Sequence, residues 1–182
     1  MNGERLIKIA RKAIKTYFSK ENFEVNEFDE KKGIFVTLYK KDDLRGCIGF
    51  IREIDLNKGI IEAARSAAFS DPRFNPLEKE ELKNIRIEIS LLSKPELLKG
   101  NYLKQIKIGR DGLIIESNFT SGLLLPQVFV EYNTNAKEAL EMTCEKARLD
   151  KNAWKEKDIR VYKFKCDVYS EEKPNGDVKK LM

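Results

Sequence analysis

The order of helix-like and strand-like segments along the chain predicts an α+β fold, with a mainly antiparallel sheet flanked by helices. Three observations support this prediction. The chain opens with an amphipathic helical pattern, a short polar turn joins two neighbouring extended segments as in a β-hairpin, and the later strands and helices are interleaved irregularly. A doubly wound parallel sheet is the alternative architecture.

The first predicted helix covers residues 6–18, where apolar residues recur every three or four positions with basic residues between them. A strand is predicted next over residues 34–40, and it begins directly after Gly33. A turn over residues 41–43 then leads into a second extended segment, residues 44–51. These two strands should pair as a hairpin.

A second helix is predicted to begin near Asn57, whose side chain is a favourable N-cap, and to end before Pro72. Its apolar positions are mostly alanines, which implies close approach to a neighbouring element. Residues 76–84 allow a short helix. Residues 85–92 alternate apolar side chains with arginine, glutamate and serine, and this period of two predicts a strand with one buried face and one largely polar face.

Beyond residue 94 the chain becomes richer in turn-forming residues, and residues of about 94–125 are predicted to form a smaller lobe of a single domain that spans residues 1–182. The elements predicted in this half are, in chain order, a turn over 109–112, a strand over 113–116, a helix over 136–147 capped by Thr134 or Asn135, a strand over 161–169, and a turn over 174–177 before a frayed end.

The composition predicts a cytoplasmic protein. No apolar run approaches the ~20 residues that a spanning helix requires, and the first residues lack the apolar segment of a signal peptide. Three widely spaced cysteines fit reduced thiols better than a disulfide framework. The formal net charge of +5 arises from 35 basic and 30 acidic residues that are interspersed, so nucleic-acid binding is only a weak alternative.

The chain contains no histidine, and this absence restricts the available chemistry. It excludes Ser-His-Asp and Cys-His catalysis and every histidine-containing metal site. A Walker A motif and an iron–sulfur cysteine cluster are also missing from the sequence. We therefore predict no bound transition metal and no cofactor.

The segment Leu44-Arg45-Gly46-Cys47-Ile48-Gly49 is the most unusual stretch, because two glycines flank a cysteine inside an extended segment. In a strand, Arg45 and Cys47 point to the same face, and an arginine beside a thiol favours the thiolate. The flanking glycines should also leave room for a reagent to reach the sulfur. The alternative is a buried cysteine with glycines that merely allow a tight sheet.

Four further side chains are candidates for a site. Arg73, in Asp71-Pro72-Arg73-Phe74, is placed to hold an anion, although a solvated arginine after a helix is the simpler interpretation. Glu88 and Ser90 share the polar face of their strand, where Glu88 is either a base or an ion-pair partner of Arg86. Gln127 follows a proline, which would fix the direction of its amide, and the alternative is that it caps a loop.

These motifs together resemble those of the AMMECR-domain family over roughly residues 5–170. The matching stretches are Leu44-Arg45-Gly46-Cys47-Ile48-Gly49, Asp71-Pro72-Arg73-Phe74, Glu88-Ile89-Ser90-Leu91-Leu92-Ser93 and Leu123-Leu124-Leu125-Pro126-Gln127-Val128. The resemblance implies two unequal lobes with a cleft between them and the cysteine motif near that cleft. It also implies a pathway association with radical-SAM and Memo-like proteins, and it leaves the activity unsettled. Asn75 and Arg148 stand where the family usually has proline and glycine.

The sequence therefore favours an enzyme or enzyme subunit that acts on a small anionic or carbonyl-bearing substrate, with Cys47 as catalytic thiolate and Glu88 in proton transfer. The alternative is a non-catalytic binding or scaffold protein with a small-molecule or protein partner. The substrate-binding residues would be Arg45, Arg73, Ser90 and Gln127. All six side chains are predicted to converge on one cleft.

Overall fold

The computed structural model describes residues 2–181 and confirms an α+β fold with a curled antiparallel sheet. The chain forms two compact units. The first takes in the chain up to Leu91 together with the stretch from Asp167 onward, and the second is Leu92–Cys166. Each unit has its own hydrophobic core.

In the first unit, four strands lie in the order β2-β1-β3-β7, and β8 pairs with the end of β7. The apolar stripe of α1 and the alanine-rich face of α2 are buried in the core of this unit. Its elements are α1 Gly3–Ser19, β1 Lys31–Lys40, β2 Asp43–Asp55, α2 Leu56–Phe69, a 3₁₀ helix Lys79–Asn84, β3 Ile85–Leu92, the last part of β7 Arg160–Glu171, and β8 Val178–Lys180.

In the second unit, the first part of β7 pairs antiparallel with β4 and with β5, and β5 also pairs with β6. Helix α5 begins at the N-cap Asn135, which confirms one of the two predicted caps. The elements of the second unit are β4 Glu96–Leu97, α3 Tyr102–Gln105, β5 Asp111–Glu116, β6 Ser121–Leu124, α4 Pro126–Glu131, α5 Ala136–Lys146 and a 3₁₀ helix Ala153–Lys155. Helix α4 was not expected from the sequence.

The predicted hairpin is confirmed as β1 and β2, which pair antiparallel. Its turn consists of Lys41 and Asp42, and Lys41 adopts the left-handed backbone region with φ 57°. The register shifts by one residue between Leu38 and Tyr39, so that Thr37 faces Cys47 across the two strands. This irregularity decides which side chain contacts the cysteine.

The predicted N-cap of α2 is wrong. Asp55, rather than Asn57, caps the helix by accepting the backbone N–H of Lys58. Asn57 is buried inside the first turn, where its side-chain oxygen accepts the N–H groups of Glu27 and Phe28 and its amide donates to the Phe28 carbonyl. The residue satisfies the backbone of the preceding loop, a long-range role that local capping rules do not anticipate.

Strand β3 is confirmed, but two residues of its polar face are buried together with its apolar residues, and Arg86 is partly buried. Glu88 and Ser90 both lie below the surface. Their neighbour Arg86 packs over the ring of Tyr39 at 4.3 Å and donates to the Ser170 hydroxyl at 2.7 Å. The polar face of the strand is therefore covered because its charged groups find partners within the first unit.

The end of the described chain is a strand, not a frayed segment. Strand β8 pairs with Ser170 and its neighbours on β7, and Lys180 forms an ion pair with Asp167. On the same stretch of β7, Glu171 accepts two hydrogen bonds from Arg11 of α1. Within residues 2–181, no helix has the length and apolar character needed to span a membrane.

Candidate functional site

The candidate site is built around Cys47 in the middle of β2. Its thiol is partly buried, and its sulfur accepts a hydrogen bond from the Thr37 hydroxyl across the hairpin at 3.3 Å. Because Thr37 lies on the paired strand β1, the hairpin register itself fixes this contact. The cysteine therefore has a polar neighbour, which distinguishes it from a simple apolar core residue.

The loop after α2 holds the backbone of Cys47 on both sides of the residue. The Cys47 N–H donates to Oδ2 of Asp71 at 2.9 Å, and Nη2 of Arg73 donates to the Cys47 carbonyl at 3.4 Å. The same carboxylate accepts Nε and Nη2 of Arg73 at 3.0 and 2.7 Å and the Arg73 N–H at 3.1 Å. Asp71 and Arg73, named here the Asp71 clamp, thus tie this loop to β2.

The electrostatics of the Asp71 clamp follow from these bonds. The hydrogen bond from Arg73 holds the pKa of Asp71 well below its usual range, and this effect exceeds the opposite effect of burial. Backbone N–H groups of Cys47 and Arg73 lower the pKa further. Asp71 is therefore a permanent carboxylate near neutral pH, with a side chain only 2% exposed, while that of Arg73 is 53% exposed.

The expected pairing of Arg45 with the thiol is not what the structure shows. Nε and Nη2 of Arg45 donate to the two carboxylate oxygens of Glu81 at 3.3 and 3.0 Å, and Lys40 donates to the same carboxylate at 2.9 Å. Burial by itself would raise the pKa of Glu81, but the bonds from Arg45, the Glu78 N–H and Lys40 lower it to about 2. Arg45 is thus held by a carboxylate from the 3₁₀ helix.

The two arginines meet at one aromatic ring. The guanidinium carbon of Arg45 lies 5.9 Å from the centre of the Phe74 ring, and that of Arg73 lies 5.4 Å from it. Both distances fall in the range of cation–π attraction. Phe74 therefore organises two positive groups in the first unit next to the cysteine strand.

The surroundings of Cys47 do not favour the thiolate that its neighbour Arg45 was expected to stabilise. Burial raises the pKa of the thiol above its ordinary value, and the hydrogen bond from Thr37 and the charge of Arg73 only partly oppose this effect. Asp71 and Glu88 add negative charge nearby and raise the pKa further. Cys47 is therefore a neutral thiol near pH 7.

The glycines of the cysteine motif serve close packing and do not open a path to the sulfur. A Cβ at Gly46 would lie 2.1 Å from the backbone oxygen of Ala67 on α2. A Cβ at Gly49 would lie 2.1 Å from the backbone oxygen of Ile34 on β1. Both glycines are required because another backbone approaches them more closely than any side chain allows.

Five of the six predicted site residues lie in the first unit: Arg45, Cys47, Arg73, Glu88 and Ser90. Glu88 is buried on β3, where it lies 4.0 Å from Arg86 and its charge acts on the Cys47 thiol. Ser90 is buried two residues further along the same strand. Their catalytic and binding roles remain predictions.

Gln127 belongs to the second unit, where it lies in the first turn of α4. Its Oε1 is buried and accepts no hydrogen bond from any described residue. A buried acceptor of this kind is unusual, since most buried polar atoms have a partner. Its membership of one site with Cys47 stays a prediction.

Sequence reasoning missed Thr37, Glu81 and Phe74 as members of this region. Only Phe74 gave a signal, because it belongs to the Asp71-Pro72-Arg73-Phe74 motif. Thr37 depends on a shift in strand register, and Glu81 lies in a lysine- and glutamate-rich stretch that looks like an ordinary solvated surface. The contacts of Glu81 and Phe74 with Arg45 depend on how the segment after α2 lies beside β2.

The other two cysteines are buried, as predicted. Burial raises the pKa of Cys144 to about 11, and Cys166 lies inside β7. Among residues 2–181, no group of three cysteine, aspartate or glutamate side chains is arranged to hold a metal ion. Cys47 is the one partly exposed thiol of this part of the chain.

Together, the antiparallel sheet, the helices and the cysteine strand define an α+β protein of a recognisable class. The chain belongs to the AMMECR1 family, whose model matches residues 7–169. The match covers most of both units. It therefore confirms the resemblance carried by the four sequence motifs, and it assigns no activity.

Archaeal relatives match the chain over nearly its whole length. A protein of Pyrococcus furiosus is 44% identical, covering 98% of this chain and 92% of the relative. A protein of Saccharolobus solfataricus is also 44% identical, covering 96% and 83%. The crystal structure of the uncharacterized protein PH0010 from Pyrococcus horikoshii is 42% identical, with a TM-score of 0.89 and coverage of 98% of this chain and 95% of that one.

Proposed function

We propose that this protein binds an anionic or carbonyl-bearing group through Arg45 and Arg73. The group would belong to a small molecule or to a segment of a partner protein. The observation that carries this proposal is the arrangement of the two guanidinium groups on the single ring of Phe74. Paired arginines beside a ring are suited to hold a planar acceptor such as a carboxylate.

The hydrogen-bonding pattern of the two arginines leaves donors for such a group. Arg45 and Arg73 each use Nε and Nη2 to hold Glu81 or Asp71. Among residues 2–181, the Nη1 group of neither arginine donates a hydrogen bond. The internal carboxylates therefore fix the orientation of each guanidinium, while its remaining nitrogen stays able to donate to a ligand.

Binding is favoured over catalysis because the thiol is not prepared for attack. The pKa of Cys47 is raised, chiefly by burial, so that the nucleophilic thiolate is scarce near neutral pH. The Gly46 and Gly49 positions beside it are filled by neighbouring backbone. An enzyme that depended on Cys47 would first have to remove its proton.

One observation supports an enzyme as the second candidate. Glu88 is a buried carboxylate whose charge acts on the Cys47 thiol. In this alternative, Glu88 accepts the proton of Sγ as the sulfur bonds to a substrate carbonyl carbon, and the carbonyl π electrons move to oxygen beside Arg73. Ser90 and Gln127 would then help to hold the substrate.

We place both candidates in the cytoplasm, as the composition predicts. The family resemblance implies a modification pathway with radical-SAM and Memo-like proteins. The described cysteines are all unpaired, which supports a reducing compartment. Nucleic-acid binding at Arg45 and Arg73 is not proposed.

The test is native mass spectrometry of the protein purified from its native host, followed by identification of any retained molecule. We expect a carboxylate- or carbonyl-bearing ligand to be retained, and we expect Arg73→Gln to weaken its binding about tenfold or more, because one charge-assisted contact is lost. Arg5→Gln is the matched control, since Arg5 forms a comparable ion pair with Glu27 on the surface of the same unit.

Equal binding by wild type and Arg73→Gln, with both variants folded by circular dichroism, contradicts the proposal. Cys47→Ser then separates the two candidates once the ligand is known. Retained binding with no chemical change in the ligand supports a binding protein. A ligand that wild type converts, and that Cys47→Ser binds but leaves intact, supports the enzyme.

A further inference from the structure

A second charged region lies in the second unit, and none of the six predicted site residues lines it. It is a groove with a volume of about 380 Å³ on the first part of β7, next to β4 and β5. Four basic and two acidic side chains line it: Lys94, Arg110, Lys163, Lys165, Glu96 and Asp111. We call it the lysine groove.

Both carboxylates of the lysine groove already have cationic partners. Asp111 accepts Nε and Nη2 of Arg110, each at 2.7 Å, and Glu96 lies 3.5 Å from Nζ of Lys163. Each acid neutralises one base, so the two remaining lysines give the groove a local excess of positive charge. This excess is the reason to look for an anionic ligand.

The excess charge resides on groups without internal partners. Lys94 and Lys165 are exposed, and their ammonium groups form no ion pair or hydrogen bond with any residue between 2 and 181. Nη1 of Arg110 also donates to nothing in that range, because its other two nitrogens hold Asp111. Three donors thus remain able to bind one incoming anion.

The backbone beneath these side chains is fixed. The Ser93 N–H donates to the Lys165 carbonyl, and the Lys165 N–H donates to the Ser93 hydroxyl, both at 2.9 Å. Lys165 also pairs with Asp111 across β5 and β7. Lys165 therefore projects from a paired strand, and Ser93 holds the segment that carries Lys94 against that strand. A fixed backbone reduces the entropy lost when these side chains close on a ligand.

We infer that the lysine groove binds a compact, multiply charged phosphate group on a small molecule. Two ammonium groups and one guanidinium nitrogen match the several oxygens and the charge of phosphate. A nucleic-acid strand would need stacking surfaces for its bases. The only aromatic residue lining the groove is Phe164, whose side chain is buried. The volume also lies in the range of small-molecule sites.

The experiment is isothermal titration of the folded protein with inorganic pyrophosphate at low ionic strength. We expect saturable binding to wild type, and we expect the double variant Lys94→Gln/Lys165→Gln to bind about 30-fold more weakly, because two charge-assisted contacts are lost. The matched control is Lys151→Gln/Lys157→Gln, which removes the same charge from exposed lysines of the same unit that do not line the groove.

Equal weakening by the groove variant and the control overturns the inference, because binding would then follow net charge alone. Absence of saturable binding to wild type overturns it as well. A parallel titration uses a ten-nucleotide oligouridine. The RNA could bind more tightly than pyrophosphate and lose this binding in the groove variant only. That result would overturn the inference, because the ligand would then be a nucleic-acid strand and not a small phosphate compound. RNA binding that is weak and equal in both variants supports the small ligand.

Discussion

Each unit contains one buried aspartate that is held side-on by a neighbouring arginine, and the two pairs are similar in geometry. Asp71 with Arg73 forms the clamp in the first unit, and Asp111 with Arg110 forms its counterpart, named here the Asp111 clamp. Both aspartates are 2% exposed, while Arg73 and Arg110 are 53% and 42% exposed. Both carboxyl groups have a lowered pKa.

The difference lies in what each carboxylate holds besides its arginine. Asp111 accepts the N–H of Lys107, four residues earlier, and so closes its own turn. Asp71 accepts the N–H of Cys47, which is 24 residues away on β2. The same chemical pair therefore serves a local turn in one unit and a long-range connection to the cysteine strand in the other.

The largest expected effect comes from adding a methyl group beside each clamp. Gly46→Ala places a Cβ against the Ala67 backbone oxygen, which no rotamer change can move, so α2 and the loop carrying Asp71 must shift. We expect a loss of about 3 kcal/mol or more in unfolding free energy. Gly112→Ala meets the ring of Phe164 and should cost about 1–2 kcal/mol, because a side chain can adjust.

Urea denaturation of both glycine variants measures this difference. Equal losses would show that α2 can move away from β2 without cost, and the Asp71 clamp would then not depend on close packing at Gly46.

Removing each carboxylate charge should give the next largest difference. Asp71→Asn weakens four hydrogen bonds, including the connection to Cys47, and we expect it to cost about 3 kcal/mol. Asp111→Asn weakens three bonds within one turn and should cost about 1–2 kcal/mol. Thermal unfolding of the two variants provides the comparison. A larger loss for Asp111→Asn would reverse the assignment of local and long-range roles.

Acid should affect the two clamps in the same direction but to different extents. A carboxyl group whose pKa is lowered by folding stabilises the protein fully above its unfolded pKa, near 4, and loses that contribution as pH falls toward its folded pKa. The pKa of Asp71 is held well below its usual range, and that of Asp111 is lowered against the opposing effect of burial.

We therefore expect the decrease in stability between pH 5 and pH 2.5 to be smaller by about 1 kcal/mol in Asp71→Asn than in wild type. Asp111→Asn should reduce this acid-induced loss of stability by a smaller amount. Urea midpoints measured across this interval give the slopes. A wild-type slope retained in Asp71→Asn would assign the acid sensitivity to other carboxylates, such as Glu81, whose pKa is also lowered.

The smallest effect concerns the thiol beside the Asp71 clamp. Cys47 is partly exposed while Cys144 and Cys166 are buried, so limited iodoacetamide should label Cys47 first, slowly at pH 7 and faster as the pH rises. Arg73→Gln should slow this labelling a few-fold, because the charge of Arg73 lowers the thiol pKa.

Arg5→Gln, on the surface of the same unit, should leave the labelling rate unchanged. Peptide maps at early times identify the labelled cysteine. First labelling of Cys144 or Cys166 would show that Cys47 is the better protected thiol, and the enzyme alternative would lose its nucleophile.

The fold was largely predictable because its elements carry local signals. The hairpin, β3 and α5 were identified from a turn, a period of two and an N-cap. The cap of α2 was misassigned because Asp55 and Asn57 are both good caps, and the choice depends on the distant loop that Asn57 binds. Burial of the β3 polar residues likewise depends on partners from other elements.

For the candidate site, the sequence selected residues by type, but it could not predict their electrostatics. Arg45, Cys47 and Arg73 were selected by residue type, and the structure places them in the same unit. The charge state of Cys47 could not be predicted, because Arg45 pairs with Glu81, 36 residues away, and burial dominates the thiol pKa. The register shift between β1 and β2, which places Thr37 opposite Cys47, has no marker in the sequence.

The ion pair between Arg11 and Glu171 has a consequence for how the protein is made. Its partners are 160 residues apart, so on the ribosome α1 emerges long before the strand that completes its unit. The second unit, Leu92–Cys166, is continuous in sequence, whereas the first is completed only when the segment from Asp167 onward has been synthesised. A nascent chain halted after Cys166 would keep Arg11 without its carboxylate and β3 without the end of β7, and quality-control proteases should degrade such a fragment.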